Sequence, residues 1–245
     1  MAGHLGRRVP TDWEHVEKYP LTAPRLAEIT TPRPIVIGVN WYSNFDSPKK
    51  DSAGHYWIGK GSLGTIRGGH CVCLKPRGIT DYASWWDFYD QGAEGACVGF
   101  GSSRMMTLMN RKRYFARWLW DQAKKVDEWS DTNPGDDNGT SVRAALEVLR
   151  NRGHVYWTNT TAQQAADEDW RLRQTISPAL NEGISAYRWI GSMDDALQVL
   201  GYSGLDYVDL INSWGRYYPH LTRLPVTTLE RLWREDGEIG VPTDR

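Results

Sequence analysis

Cys97 has the sequence surroundings of a reactive thiol. It follows a turn punctuated by Gly92 and Gly95, stands at the predicted start of a helix, and has Gln91 six residues upstream. A helix N-terminus carries roughly half a positive charge and unpaired N–H groups, and both favour a thiolate over a thiol. The segment therefore predicts that Cys97 is a nucleophile.

Two further segments carry the groups that such a thiol needs. Gly68 and Gly69 lead into His70 on a short apolar strand, and Asn212 ends another strand. An unperturbed thiol is only a few per cent ionised at neutral pH, so it needs a neighbouring cation, and His70 is the best candidate. The same imidazolium can return a proton to a leaving amine. Asn212 suits the second N–H of that ring, because an uncharged amide oxygen accepts it without removing the proton.

Together these segments resemble the papain family of cysteine peptidases. The family motifs Q-G-x-x-G-x-C-x-x-F, G-H-x-V and N-S-W-G are present at residues 91–100, 69–72 and 212–215. The resemblance implies an α+β papain-like fold with two lobes, one helical and one an antiparallel β-barrel-like lobe. The active site is then expected in the cleft between them.

The resemblance also implies the reaction and the roles of four residues. Peptide or isopeptide bonds would be hydrolysed through a thioester acyl-enzyme by a triad of Cys97, His70 and Asn212. Trp214 would cover the hydrogen bond between the histidine and the asparagine and exclude water from it. The expected partner is a peptide or protein substrate, and no cofactor is required.

The oxyanion donors follow from the same resemblance. The backbone N–H of Cys97 and the side-chain amide of Gln91 would stabilise the tetrahedral oxyanion. Gly95 and Gly69 are the supporting glycines of the site. We expect Gly92 and Gly95 to let the loop fold back without clashes of a Cβ atom.

The chain departs from the family in motif order and beside the cysteine. In the family the cysteine comes first, whereas here His70 precedes Cys97, and His154 is the only histidine between Cys97 and Asn212. This order predicts a circularly permuted or shuffled member, similar to divergent members from bacteria and their phages. Residues 93–94 and 98–99 also differ from the family, so its substrate preference does not transfer.

Composition limits the function classes. The 245 residues carry a net charge of −1 and give a pI near 6.6, which offers no basic field for nucleic acid or an anionic membrane. We therefore expect neither as a partner, and the sequence leaves the oligomeric state open. The 13 tryptophans and 12 tyrosines suit core packing and an amphipathic groove for an extended polymer.

The three cysteines indicate a reducing compartment. Cys71 and Cys73 lie two apart on one strand face and cannot both pair with Cys97. His70 beside them would place metal ligands on opposite faces, so no metal site is expected, and the acidic loop at 132–139 lacks the spacing of an EF-hand. The basic residues near the N-terminus are not followed by an apolar run, and no window is apolar over the length of a membrane span. We therefore expect a soluble, cytoplasmic and possibly phage-encoded protein that is not exported by a classical signal.

Prolines predict an extended arm at 1–34, followed by one domain at 35–245. Residues 35–75 and 184–245 are expected to form mainly the β lobe, and residues 85–183 mainly the helical lobe. The periodicity predicts strands at 35–41, 56–58, 70–74 and 207–211, and helices from 97, at 115–126, 142–152, 192–200 and 227–234. We expect turns at 132–139 and 236–238 and a weakly patterned connection at 154–184.

Two other functions are compatible with these motifs. The chain could be a catalytically inactive papain-like module used for binding or in a virion, because permutation can cost the alignment of the triad. It could instead keep the triad and act as an amidase or a transglutaminase-like acyl transferase.

Overall fold

The computed structural model describes residues 31–79, 89–128, 138–156 and 182–243. Most of the predicted arm at 1–34 and of the connection at 154–184 lies outside the described residues, as does most of the loop at 132–139. Among the described helices, none is both long and apolar enough to cross a bilayer.

Eight strands of the described residues form one sheet. They are β1 (Ile35–Tyr42), β2 (Lys49–Lys50), β3 (Tyr56–Trp57), β4 (Ile66–Lys75), β5 (Ala186–Trp189), β6 (Tyr207–Ile211), β7 (Thr222–Pro225) and β8 (Glu238–Thr243). The order across the sheet is β2-β3-β7-β6-β4-β1-β8-β5, and neighbours are antiparallel except β3 and β7. With five α-helices beside it, this sheet is compatible with the predicted α+β class.

The five helices of the described residues begin and end close to the predicted positions. They are α1 (Cys97–Asn110), α2 (Ala116–Val126), α3 (Val142–Asn151), α4 (Met193–Leu200) and α5 (Val226–Arg234). Ser141 caps α3 by accepting a hydrogen bond from the N–H of Ala144 at 3.1 Å, and Ser192 caps α4 in the same way. Gly201 ends α4 in the left-handed conformation, as its position predicts.

Side-chain alternation along β1 and β4 divides the apolar core between two faces of the sheet. Ile35, Ile37, Val39 and Trp41 pack with side chains of α4 and α5, whereas Val36, Cys71 and Cys73 pack with α1, α2 and α3. His70 lies opposite Val39 in the ladder and projects from the same face as that residue. Cys71 follows it in the chain and projects towards the helices.

The pairing of β4 with β6 joins the two segments that carry His70 and Asn212. The strands are antiparallel neighbours, with Cys73 opposite Ile211 and Lys75 opposite Asp209. The histidine strand and the asparagine strand are therefore direct neighbours, although 142 positions separate His70 from Asn212. A long separation in sequence raises the entropy cost of bringing the two strands together. It does not change their register, because register is set by side-chain burial.

Four strands were not predicted from the sequence: β2, β5, β7 and β8. Residue 238 was predicted to belong to a turn, whereas Glu238 begins β8, which pairs with β1 and β5. The turn prediction was wrong at this residue because Gly237, Gly240 and Pro242 give the segment turn-like composition. Pairing with β1 on one side and β5 on the other overrides that local preference.

His154 is a structural residue of the helical core. Its buried ring stacks on Tyr114 and Trp118, with centroid distances of 4.7 and 5.6 Å. The N–H of Val155 donates to Nδ1 at 2.9 Å, so Nε2 carries the proton and donates to Ser103 Oγ at 2.8 Å. Burial lowers the pKa of His154 to about 3.

We expect acid to destabilise the protein through His154. The unfolded chain takes up a proton near the ordinary pKa of 6.5, whereas the folded chain resists protonation down to about 3. Between these values the unfolded state binds more protons, so the free energy of unfolding falls by up to ~1.4 kcal/mol for each pH unit of acidification. Urea titrations from pH 7 to pH 4 should show a shallower dependence in His154→Gln.

Ser103→Ala is the matched control for this measurement, because it removes the hydrogen-bond partner and keeps the ring. It should lower the stability at every pH and leave the slope unchanged. An identical slope in wild type and His154→Gln would show that another group governs the acid sensitivity.

Candidate active site

His70 and Asn212 meet where β4 and β6 run side by side. The Nε2 atom of His70 lies 2.8 Å from the Oδ1 atom of Asn212, and both side chains are buried. The predicted partnership between the histidine and the asparagine is therefore present in the structure as a hydrogen bond.

A backbone group fixes the direction of that hydrogen bond. The N–H of Ser213 donates to the same Asn212 oxygen at 2.8 Å, and a backbone N–H can only donate. The atom that faces His70 is therefore the amide oxygen, and His70 Nε2 must carry the proton. In the neutral ring this tautomer leaves Nδ1 as a bare acceptor, which is the form that a general base requires.

Aromatic side chains enclose His70. The ring of Trp214 lies 5.0 Å from it, centroid to centroid, and the edge-on ring of Trp41 lies at 4.7 Å. Tyr218 packs edge-on against Trp214 at 5.1 Å and donates its hydroxyl to Phe45 O at 2.9 Å. These rings keep water from the histidine and strengthen its hydrogen bond.

Sequence reasoning singled out Trp214 here and missed Trp41 and Tyr218. The signal for Trp41 was present, since the alternation of β1 places it on the same face as Val39, opposite His70. Tyr218 lies in a loop without periodicity, and its packing depends on contacts that no local pattern reveals.

Burial sets the protonation of His70. It lowers the pKa of the imidazole to about 4, whereas the hydrogen bond to Asn212 and the carboxylate of Asp46 act in the opposite direction. Asp46 is held by Trp41 Nε1, which donates to it at 2.9 Å, and by Arg67 at 2.9 Å. At neutral pH an isolated His70 is therefore uncharged and able to accept a proton.

Cys97 is the first residue of α1, as predicted. The preceding Ala96 has no side chain that could cap the helix, so the first N–H groups stay available to the thiol. Burial nevertheless raises the pKa of the Cys97 thiol to about 11, and the N–H groups of Cys71, Val98 and Cys97 only partly oppose it. The helix terminus by itself does not supply the thiolate, and a cation beside the sulfur is required.

The cysteine helix reaches the histidine strand at a neighbouring residue. The Cys97 sulfur lies near the backbone N–H of Cys71, which directly follows His70 in β4. Helix α1 packs against β4 along this side of the sheet. The structure thus brings the predicted nucleophile to the strand that carries the predicted base.

Gln91 is held against the segment at 212–215. Its backbone N–H donates to Ser213 O at 2.9 Å, and the N–H of Gly215 donates to Tyr89 O at 2.9 Å. The side chain of Gln91 is buried, and its Nε2 atom donates to Glu94 O at 3.0 Å. These bonds fasten the loop before Cys97 to the segment that carries Asn212.

Backbone conformation explains the glycines of the site. Gly215 has φ of +68°, and a Cβ there would lie 2.6 Å from Asp90 Oδ2. Gly92 has φ of +62° with open space around it, so a Cβ there would crowd only its own backbone, which is the reason that the left-handed conformation favours glycine. Gly95 is buried next to Ala96, and Gly69 lies opposite Asn40 in the β1–β4 ladder.

His154 does not compete with His70 for the role of base. Both of its ring nitrogens are engaged in hydrogen bonds, to Val155 and Ser103, within the helical core. In the part of the chain that the structure describes, no group of three or more His, Cys, Asp or Glu side chains has the arrangement of a metal site.

Comparison with known proteins gave a distant likeness among solved structures. No family model matches the chain, and no curated protein matches it. Among solved structures it is similar to xylellain, a cysteine protease from Xylella fastidiosa, with 13% sequence identity over 84% of this chain and 97% of that protein, and a TM-score of 0.45.

Cys97 should be the cysteine that iodoacetamide modifies in the folded protein. Its side chain is partly exposed, whereas Cys71 and Cys73 are buried, and burial raises the pKa of both buried thiols. Peptide mass spectrometry after treatment with limiting reagent should find the label on Cys97, and Cys97→Ser should stay unlabelled.

Protein unfolded in urea is the control, since all three cysteines should then react. Equal labelling of the three thiols in the folded protein would contradict the packing of Cys71 and Cys73 described above.

Proposed function

We propose that the chain is a cysteine peptidase that hydrolyses peptide or isopeptide bonds through a thioester acyl-enzyme. The observation that carries this proposal is the hydrogen bond from His70 Nε2 to Asn212 Oδ1. It leaves Nδ1 unprotonated, one residue before the position in β4 that approaches the Cys97 sulfur. Acyl transfer to sulfur needs a thiol within reach of a histidine of fixed tautomer, and the proposal gives these roles to Cys97 at its helix N-terminus and to His70.

In the proposed reaction His70 Nδ1 takes the proton of the Cys97 thiol, and the sulfur attacks the substrate carbonyl carbon. The N–H of Cys97 and the amide of Gln91 stabilise the oxyanion. The His70 imidazolium, held by Asn212, then gives its proton to the leaving amine. Water, deprotonated by the same histidine, releases the acid and restores the thiol.

We also propose the two-lobed, permuted arrangement that the motif order implies. In it, residues 35–75 and 184–245 form the β lobe and residues 85–183 the helical lobe, with the site between them. The direct pairing of β4 with β6 supports this proposal, because strand neighbours need not follow chain order. The bonds from Gln91 and Gly215 across to the other segment support a site at this junction.

A catalytically inactive binding module is the second candidate. The observation that favours it is that burial acts against charge on both partners, lowering the pKa of His70 and raising that of Cys97. In a protein without catalysis the same groups would be a buried polar network that holds the two segments together.

Substitutions at the site should lower peptidase activity by amounts that depend on the role of each residue. Cys97→Ser and His70→Ala should abolish the hydrolysis of a fluorogenic peptide library, because each removes a group that makes or breaks a bond. Gln91→Ala should leave activity on the order of 10²–10³-fold below wild type, the cost of one oxyanion donor, and Asn212→Ala should also leave residual activity. Mass spectrometry of the rapidly quenched reaction should find an acyl group on Cys97.

Asn151→Ala and His55→Ala are matched controls, since they remove the same side chains from exposed or half-exposed positions. Loss of activity in His154→Ala with full activity in His70→Ala would place the base elsewhere. Addition of a primary amine separates hydrolysis from acyl transfer, because a transferase would give the amide product in place of the acid.

A further inference from the structure

A charged residue stands in the loop that joins the two proposed oxyanion donors. This loop, residues 91–96, runs from Gln91 to the residue before Cys97. Glu94 is bound to Gln91 in both directions: Gln91 Nε2 donates to Glu94 O at 3.0 Å, and Glu94 N donates to Gln91 O at 3.4 Å. The position of the Glu94 backbone therefore determines where the Gln91 amide lies.

The side chain of Glu94 fixes that backbone to the second helix. Arg117 Nε, in the first turn of α2, donates to Glu94 Oε2 at 2.5 Å. The side chains of Arg117 and Glu94 are only 19% and 28% exposed, so solvent screens the pair less than it screens a surface ion pair. The Arg117 guanidinium also lies 5.3 Å from the ring centroid of Phe100, which belongs to α1.

Arg117 thus joins three parts of the structure. It holds the 91–96 loop through Glu94, it belongs to α2, and it packs on the helix that begins with Cys97. A guanidinium is suited to this, because its planar group can bind a carboxylate and lie against a ring at the same time. Nothing in the proposed reaction itself uses either charge.

We propose that Glu94 and Arg117 form a positioning pair that sets the Gln91 amide relative to the Cys97 N–H. The inference rests on the proposed peptidase function. An oxyanion donor acts only when it lies at hydrogen-bond distance from the oxygen of the tetrahedral intermediate, so a small shift of the loop weakens it. The pair would therefore act on turnover through Gln91 and make no contact with substrate.

Steady-state kinetics of four variants test this role: Glu94→Gln, Arg117→Gln, Arg117→Lys and Gln91→Ala. Glu94→Gln and Arg117→Gln should each lower kcat about tenfold, a fraction of the loss from removing the donor itself, with KM nearly unchanged. Arg117→Lys should recover part of the loss, because it keeps the charge. The combination of Glu94→Gln with Gln91→Ala should be no slower than Gln91→Ala alone, since the pair acts through that amide.

Arg234→Gln is the matched control, because Arg234 pairs with Glu230 at 2.6 Å on the exposed face of α5. It should leave kcat unchanged. A melting temperature that falls in Glu94→Gln while kcat stays at the wild-type value would overturn the inference and leave the pair a purely structural contact. Additive losses with Gln91→Ala would overturn it as well, since the pair would then act by another route.

Failure of the proposed function gives a different result. If wild type and Arg234→Gln hydrolyse no peptide while Cys97 is accessible to iodoacetamide, the peptidase proposal is wrong and the positioning role falls with it. An active wild type with an equally active Glu94→Gln rejects the positioning role alone.

Discussion

The hydrogen bond between His70 and Asn212 is the interaction on which the arrangement of the site depends. It requires β4 and β6 to be neighbours, although the two residues are 142 positions apart in the chain. The N–H of Ser213 fixes which amide atom faces the ring, and so fixes which imidazole nitrogen is free. The carbonyl oxygen of Ser213 also accepts a hydrogen bond from the backbone N–H of Gln91. The same short segment therefore holds both the proposed oxyanion donor and the proposed base.

Burial around this bond has two opposing effects. The rings of Trp41 and Trp214 exclude water and strengthen the contact between His70 and Asn212. The same exclusion disfavours charge, lowering the pKa of His70 to about 4 and raising that of Cys97 to about 11. Neither group is charged alone at neutral pH. A thiolate and an imidazolium can coexist there only if each offsets the desolvation of the other, and the two then titrate as a coupled pair.

Local patterns predicted the elements that carry the site. Apolar patterns and helical periodicity located β1, β4, β6 and the five helices, because these signals depend only on neighbouring residues. The motifs around Cys97, His70 and Asn212 gave the candidate residues. Strand β8 was missed because its extended conformation depends on pairing with β1 and is not indicated by its own composition. Trp41, Tyr218 and Arg117 were missed as site residues because their contacts join segments that are distant in the chain.

The coupling between His70 and Cys97 is tested most directly by the rate of alkylation of Cys97 by iodoacetamide, measured from pH 5 to pH 10 in wild type and in His70→Gln. If the two groups form an ion pair, the wild-type thiol will react at neutral pH. In His70→Gln this reactivity will be lost, and the rate will rise only as the pH approaches the thiol pKa of about 11. Superimposable profiles for the two proteins would contradict a catalytic pair, because they would show that His70 contributes nothing to the ionisation of Cys97.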